Sequence, residues 1–421
     1  MNSAIHARLA ARSLSDRRVP LLLTLLTLTL SLTLVFGVQY LRTEVRDTFM
    51  STVSDTDLIV GARSGPVNLL LYSVFHIGNP TNNIRWTTFQ HVAGHDAVDW
   101  AVPISLGDSH KGFRVVATSR AFFERFQYGN DRALSFREGE AFGGVYGAVV
   151  GQEVARRLDY AIGDSIVIAH GAGSTSFVHH DKQPFVVEGV LEGTGTPLDR
   201  VVLIPLEGFE AIHSGWRGGV QLGGQLSPEE ALARDLTPDE ITAMLVGAER
   251  RIMTLRLQRE LNNYEGEPLT AILPGATLAR LWQMLGGFEN ALLVIAALVL
   301  VTSLVGMVGM LLATQSTRTR EMAILRSIGA TPWGISFMYV LECLFLVGAS
   351  LLLALLIWFG GLQLVAPWLS GVWGIHIGIR PPGAAEGALS AIVMGLSFLV
   401  SLVPAWLGYR RSLAAGLMPR E

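Results

Sequence analysis

Arg318-Thr319-Arg320-Glu321-Met322-Ala323-Ile324-Leu325-Arg326-Ser327-Ile328-Gly329-Ala330-Thr331-Pro332 is a short charged stretch between two long apolar runs. Met322, Leu325 and Ile328 recur every third residue and so line one side of a helix. Arg320, Glu321 and Arg326 keep the segment in water. Gly329 suits a helix C-terminus, and Thr331-Pro332 reads as an N-cap followed by proline at the first helical position. The stretch is predicted to be a small amphipathic helix lying along a bilayer surface and joined rigidly to the next spanning helix. A body outside the membrane that pushed on it would move that helix.

The chain has 421 residues, half of them hydrophobic and 16% charged, which fits a membrane protein with a sizeable water-exposed part. Four runs have the roughly 20 apolar residues that a bilayer requires: Val19–Tyr40, Ala291–Leu312, Ile335–Trp358 and Ala388–Leu407. Of the first three, only Ile335–Trp358 contains a charge, Glu342. The first run is longer than the apolar core of a secretory signal, and no small-x-small cleavage pattern follows Phe36-Gly37-Val38-Gln39. It is therefore read as an uncleaved anchor.

Arginine placement sets the expected orientation. Arg8, Arg12, Arg17 and Arg18 against Asp16 give +3; Arg318, Arg320 and Arg326 against Glu321 give +2; Arg410, Arg411 and Arg420 against Glu421 give +2. A chain of net charge −3 then carries −10 in its remainder. All three basic pieces agree with N-in, C-in topology and an acidic extracytoplasmic part. The expected division is residues 1–18 cytoplasmic, 19–40 first span, 41–287 extracytoplasmic, 291–312 second span and 313–334 cytoplasmic helix. Residues 335–358 are then the third span, 359–387 an outer loop, 388–407 the fourth span and 408–421 a cytoplasmic tail.

Several functions are excluded by composition. Net charge is too near neutral for a nucleic-acid partner, and the single cysteine, Cys343, leaves no intrachain disulfide and no cysteine-based zinc site. The only lysines, Lys111 and Lys182, do not follow glycine, so a P-loop ending Gly-Lys-Ser/Thr cannot be formed. If nucleotide energy is used, another chain binds the nucleotide.

Leu41, Val45, Phe49 and Val53 repeat every four residues after the first run, and Leu278, Leu281, Trp282, Leu285 and Phe288 form a similar stripe before the second. Two such extensions, 41–56 and 275–290, are expected to pack as a helical stalk. Between them, Asp57–Ala62, Asp99–Leu106, Phe113–Thr118, Ala148–Gly151, Ser165–Ala169, Pro184–Leu191, Arg200–Pro205, Thr242–Gly247 and Leu269–Leu273 read as strands. Asn68–Phe75, Ala121–Phe126, Gln152–Leu158 and Arg251–Asn262 read as helices, giving an α+β domain. Within Gly215–Glu240, Leu-Ser-Pro-Glu-Glu and Leu-Thr-Pro-Asp-Glu repeats suggest an exposed excursion with short capped helices.

One anchor, a large outer domain, three further spans and Arg320–Ala330 together resemble the MacB/FtsX-like permeases, the type VII ABC transporter subunits to which LolC and LolE are related. Arg320–Ala330 is similar to the family's Arg-x-x-Glu-Ile-x-x-Leu-Arg-Ala-Leu-Gly-Ala pattern. Glu342 sits where the family tends to place a glutamate. Val149-Val150-Gly151, Gly163-Asp164-Ser165 and Phe185–Val190 resemble a succession in its periplasmic domain. The resemblance covers nearly the whole chain and looks like the small permeases without a fused ATPase.

It implies four transmembrane helices, one N-terminal and three C-terminal, with a large α+β periplasmic domain inserted after the first, in a bacterial inner membrane. It further implies a second permease copy, identical or related, and a cytoplasmic ABC ATPase dimer. ATP and Mg would be bound by that partner, with no cofactor on this non-catalytic chain. A periplasmic carrier or adaptor and membrane lipid complete the expected partners. Arg320, Glu321, Leu325, Arg326, Ile328 and Gly329 would form the ATPase-coupling helix, driving export or extraction of lipoprotein, peptide or other cargo. The alternative is an FtsX-like regulator that recruits or activates a periplasmic enzyme without transport.

Glu342 lies deep in its span and is expected to face protein or water, bonding across the bundle or dimer seam. His91 and His95, four apart, share one face if a helix spans them; metal binding would need two further ligands, from His110, His179, His180 and Asp181. No Gly-x-Ser-x-Gly elbow points to a hydrolase. Ser303, Gly306 and Gly309 suit ordinary helix packing. Pro404 is expected to kink or end the fourth span before Tyr409-Arg410-Arg411.

Overall fold

The computed structural model describes residues 18–129, 131–171, 182–214, 216–217, 220–221, 227–315, 329–373 and 380–414. They divide into a sheet unit, Val45–Leu285, and a helical unit formed by the chain through Glu44 together with Gly286 onward. Helix α1 (Arg18–Met50) runs 33 residues, about 50 Å at 1.5 Å per residue.

The sheet unit is built on nine strands: β1 (Leu58–Ala62), β2 (Val98–His110), β3 (Phe113–Thr118), β4 (Phe136–Gly139), β5 (Gly147–Val150), β6 (Phe185–Leu191), β7 (Val201–Pro205), β8 (Ala243–Ala248) and β9 (Leu269–Ile272). Their order across the sheet is β9-β1-β8-β2-β3-β7-β5-β6-β4, with Ser165–Ile166 and Ala169–His170 pairing at the side. β3–β7 and β5–β6 are parallel, and the other neighbours antiparallel. Register places Leu58 opposite Val246 and Ile59 opposite Leu245.

Both faces of this sheet are covered, and the period of two sorts each strand's side chains between two cores. Leu58 and Val60 of β1, Met244 and Val246 of β8, and Val202 and Ile204 of β7 enter one core. Ile59, Leu245, Val201 and Leu203 from the same strands enter the other. The first core is closed by α3 (Trp86–Ala93), α4 (Gln152–Leu158), α5 (Leu206–His213) and α6 (Thr254–Asn262), which contribute Phe89, Val154, Ile212 and Leu257. The second is closed by α2 (Pro66–Ser73) through Leu69 and Leu70, by Phe122, Phe123 and Phe126, and by Leu278 with Leu281. Each such aliphatic side chain taken from water contributes about 1.5–3 kcal/mol. Phe49, at the end of α1, lies 5.5 Å from Trp282 and 5.0 Å from Phe75, centroid to centroid.

The helical unit contains the remaining long helices, α7 (Pro274–Gln315), α8 (Pro332–Trp373) and α9 (Ala384–Ala414). With α1 they are four helices long and apolar enough to cross a membrane. Leu28, Leu32 and Val35 of α1, Leu300, Leu304, Met307 and Leu311 of α7, and Cys343, Val347 and Leu351 of α8 share one core. Leu22, Leu26 and Leu30 face outward on α1, as lipid-facing side chains do. This is the four-helix membrane protein with an inserted mixed α/β domain that the sequence implies.

Five readings change. β2 continues past Leu106 to His110, because a register shift between Leu106 and Ser109 lets the chain keep pairing through Gly107-Asp108. Ser227-Pro228-Glu229-Glu230 is a true capping box, whereas the second repeat is not helical: Glu240–Ile241 instead pairs with Ile84–Arg85. α3 ends at Ala93 with Gly94 as its cap, so His95 falls outside the helix that holds His91. Gly306 and Gly309 are exposed, with nothing within 4 Å of where a Cβ would stand, so they pack against no helix among the described residues. Pro404 lies inside α9, which continues ten residues beyond it to Ala414.

Candidate functional site

Arg320, Glu321, Leu325, Arg326 and Ile328 lie outside the described residues. Gly329 is described, and its φ of +95° is a left-handed conformation that glycine adopts without strain. Two residues on, the Thr331 hydroxyl accepts from the Gly334 N–H at 3.2 Å, and Pro332 opens α8. The start of α8 is thus built from local chemistry. At this end of the helical unit the Trp333 ring lies tilted beside Tyr409 at 5.4 Å, and Arg410 lies 5.0 Å over Trp406. Amphipathic rings beside arginine suit a membrane–water boundary. Glu342, half-buried, is the eleventh residue of α8, about 15 Å along it.

The far ends of the same helices carry an arrangement the sequence reading missed. Tyr40 of α1 is buried, its ring edge-on to Trp358 at 5.7 Å and Phe359 at 6.1 Å. The Arg380 guanidinium lies 5.0 Å over that ring, and the Arg380 backbone N–H donates to the Tyr40 hydroxyl at 3.1 Å. Arg380 also reaches Glu386 at 2.9 Å and Glu44 at 3.9 Å. Glu386, only 3% exposed in the first turn of α9, accepts from the Gly383 N–H at 2.7 Å. Arg42 of α1 pairs with Glu289 of α7 at 2.9 Å. Deeper in the unit, the Ser31 and Ser303 hydroxyls bond between α1 and α7 at 2.5 Å.

These contacts form a charged collar that ties α1 to α7 and, through Arg380, to the start of α9. Close approach of α1 to α8 depends on Gly37, because a Cβ there would stand 2.8 Å from the Trp358 ring. The clue in the sequence was positional: Arg42, Glu44, Glu289 and Glu386 lie within four residues of an expected span, and Arg380 lies eight before one. What could not be read was which pairs with which.

In the sheet unit His91 is exposed and stacks on Tyr264 at 5.0 Å. His95 accepts from the Ala97 N–H through Nδ1 and lies 3.6 Å from Glu260. Among the described residues there is no group of three His, Cys, Asp or Glu side chains placed to hold a metal. A separate titratable cluster lies on α5. His213 donates from Nδ1 to the Phe209 carbonyl at 2.8 Å and approaches the fully buried Asp108 at 3.4 Å. Burial alone would draw His213 down, but the hydrogen bond and charge of Asp108 raise it above its ordinary value. Burial pushes Glu210 up to about 7; His213 opposes the shift, and Asp239 and Glu240 add to it.

Comparison with known proteins adds the family. The MacB-like periplasmic core domain matches residues 21–237, and the FtsX-like permease C-terminal domain matches residues 293–414. The chain belongs to the MacB/FtsX-like permeases. Among solved structures, the periplasmic region of MacB from Actinobacillus actinomycetemcomitans is similar at 11% identity and TM-score 0.34, over 55% of this chain and 94% of that one. The extracellular domain of the noncanonic ABC-type transporter YknZ from Gram-positive bacteria is similar at 13% identity and TM-score 0.28, over 52% and 99%. No curated protein matches. A MacB/FtsX-like permease is a transmembrane subunit of an ABC transporter, and its family pairs with cytoplasmic ABC ATPases. Four apolar helices and a MacB-like periplasmic domain fit a multi-pass inner-membrane protein. The FtsX-like match encloses Arg318–Pro332, Glu342, Arg380 and Glu386, and the MacB-like match encloses Tyr40, Arg42, Glu44, His91 and His95.

Proposed function

We propose that this permease is a transmission element, passing movement from a separate cytoplasmic ATPase to periplasmic export or extraction of cargo. The observation that carries the reading is the charged, amphipathic stretch Arg318–Pro332 inside the FtsX-like match, in a chain whose two lysines cannot complete a P-loop. Energy must then arrive from a partner, and this stretch is the best-shaped surface to receive it. Leu325 and Ile328 seat the helix in the ATPase, while Arg320, Glu321 and Arg326 pair with charges around that seat and Gly329 ends it. ATP and Mg belong to the partner. A second permease copy completes the assembly, with both termini and the coupling stretch on the cytoplasmic side.

Glu321→Lys or Leu325→Asp tests the reading. Each is expected to leave membrane insertion and ATP hydrolysis intact while abolishing cargo movement and its stimulation of the ATPase, measured on the co-purified complex in lipid. Unchanged transport or extraction in both variants overturns it. An ATPase that co-purifies and never responds to any moved cargo would point to the regulatory alternative.

A further inference from the structure

Helix α6 and the turn before it present two faces of opposite chemistry. Leu257 and Leu261 point into the sheet unit at 1% and 4% exposure. On the outer side Ile252 is 86% exposed and Leu255 64%, and with Arg256 and Arg259 they follow the i, i+3, i+4, i+7 spacing of one helical stripe. Arg250 and Arg251 flank the stripe, both exposed. Residues 249–260 therefore contain four arginines against Glu249 and Glu260, in a chain whose part outside the three basic pieces carries −10. Asp55 pairs with Arg251 at 3.3 Å and Glu260 with Arg256 at 2.9 Å; Arg250 and Arg259 form no ion pair among the described residues.

We propose that this stripe docks on the anionic phospholipid surface of the bilayer that the chain itself spans, with Ile252 and Leu255 entering the headgroup boundary and Arg250 and Arg259 pairing with lipid phosphates. Exposed aliphatic side chains ringed by arginine form the interfacial type of surface, in which apolar burial and attraction to anionic lipid add together. A side chain exposed to 86% protrudes, so it needs a surface that deforms around it; a folded protein partner would need a matching pocket. Charge complementarity favours phosphate over the acidic remainder of this chain.

The test uses the full chain in lipid nanodiscs, in a Cys343→Ala background, with an environment-sensitive fluorophore on Ile252→Cys or Leu255→Cys. Ile162→Cys, 44% exposed elsewhere on the sheet unit, is the control. In discs enriched in phosphatidylglycerol, spin-labelled acyl chains are expected to quench positions 252 and 255 but not 162, and to quench them less in pure phosphatidylcholine. Arg250→Gln and Arg259→Gln should each lower the docked-to-free ratio about fivefold. Three results would overturn the proposal: no lipid quenching at 252 and 255 in either disc, quenching indifferent to lipid charge and to both arginines, or shielding from aqueous iodide without lipid quenching. The last would assign the stripe to a protein partner.

Discussion

Glu210 and His213 sit one helical turn apart on α5 and titrate in the same direction. The folded Glu210 value of about 7 lies above its ordinary 4.5, so between these values the folded chain holds a proton that the unfolded chain releases. Its contribution is fully present below 4.5 and is lost as pH rises through about 7. His213, raised above 6.5, likewise loses its contribution as pH rises through its folded value. His76 works the other way: burial, with Arg114 adding to it, lowers it to about 4, so its contribution is present above 6.5 and is lost as pH falls through about 4. The sheet unit should therefore be most stable in mildly acidic solution. Glu210→Gln removes its contribution and leaves that of His76, so stability is expected to rise with pH between 4.5 and 6.5, where the two otherwise offset each other, read from tryptophan fluorescence during thermal unfolding at a series of pH values. An unchanged slope would remove Glu210 from this account. Arg380 makes a second residue-scale case. Glu386 is buried against it, so Arg380→Ala should destabilise the helical unit by about 3 kcal/mol, because a charge is left without its partner. Glu386→Gln added to that variant should recover much of the loss.

At the scale of elements, α7 is the helix with the most at stake. It begins at Pro274, directly after β9, and continues without interruption to Gln315, where the coupling stretch takes over. Gly286 and Gly287 lie in its interior at the division between the two units, and nothing stands within 4 Å of a Cβ on either. Alanine therefore fits at both positions and favours the helix by about 1 kcal/mol each. Gly286→Ala with Gly287→Ala should raise the unfolding temperature of the complex. If pliancy of α7 is used in the work cycle, cargo-stimulated ATPase should fall in the same variant; stimulation that rises or stays level would mean that α7 acts as a rigid rod. The strands of the sheet unit are legible because their apolar residues alternate or run continuously: the expected strand Phe113–Thr118 coincides with the observed one residue for residue. α5 was not readable, because Val201-Val202-Leu203-Ile204-Pro205-Leu206 is one apolar run and the sequence gives no sign that a helix starts at its end. The second Leu-Thr-Pro-Asp-Glu repeat misled for a related reason, since pairing of Glu240–Ile241 with a distant segment outweighed local capping chemistry.

For the whole molecule, the four spans and the inserted domain were legible because hydropathy and charge distribution are local properties. The collar was hidden because Arg42 and Glu289 are 247 positions apart, and no periodicity links them. Their pair offers a test of the transmission reading that local stability cannot mimic. The Arg42 side chain is 37% exposed and that of Glu289 14%, so the pair contributes about 0.2–1 kcal/mol to stability, and breaking it should hardly shift the unfolding temperature. In the proposed mechanism, however, the same contact holds α1 to α7 while the ATPase drives the assembly. Arg42→Glu and Glu289→Arg are each expected to lower cargo-stimulated ATPase several-fold, and the double reversal, which restores an ion pair between the helices, should return most of it. Two single variants with normal stimulation would exclude the collar from transmission. Single variants that lose stimulation, with a double variant that loses more, would mean that each charge serves a separate partner. A rescued double variant, with all four proteins equally stable, would tie force transfer to the contact between α1 and α7.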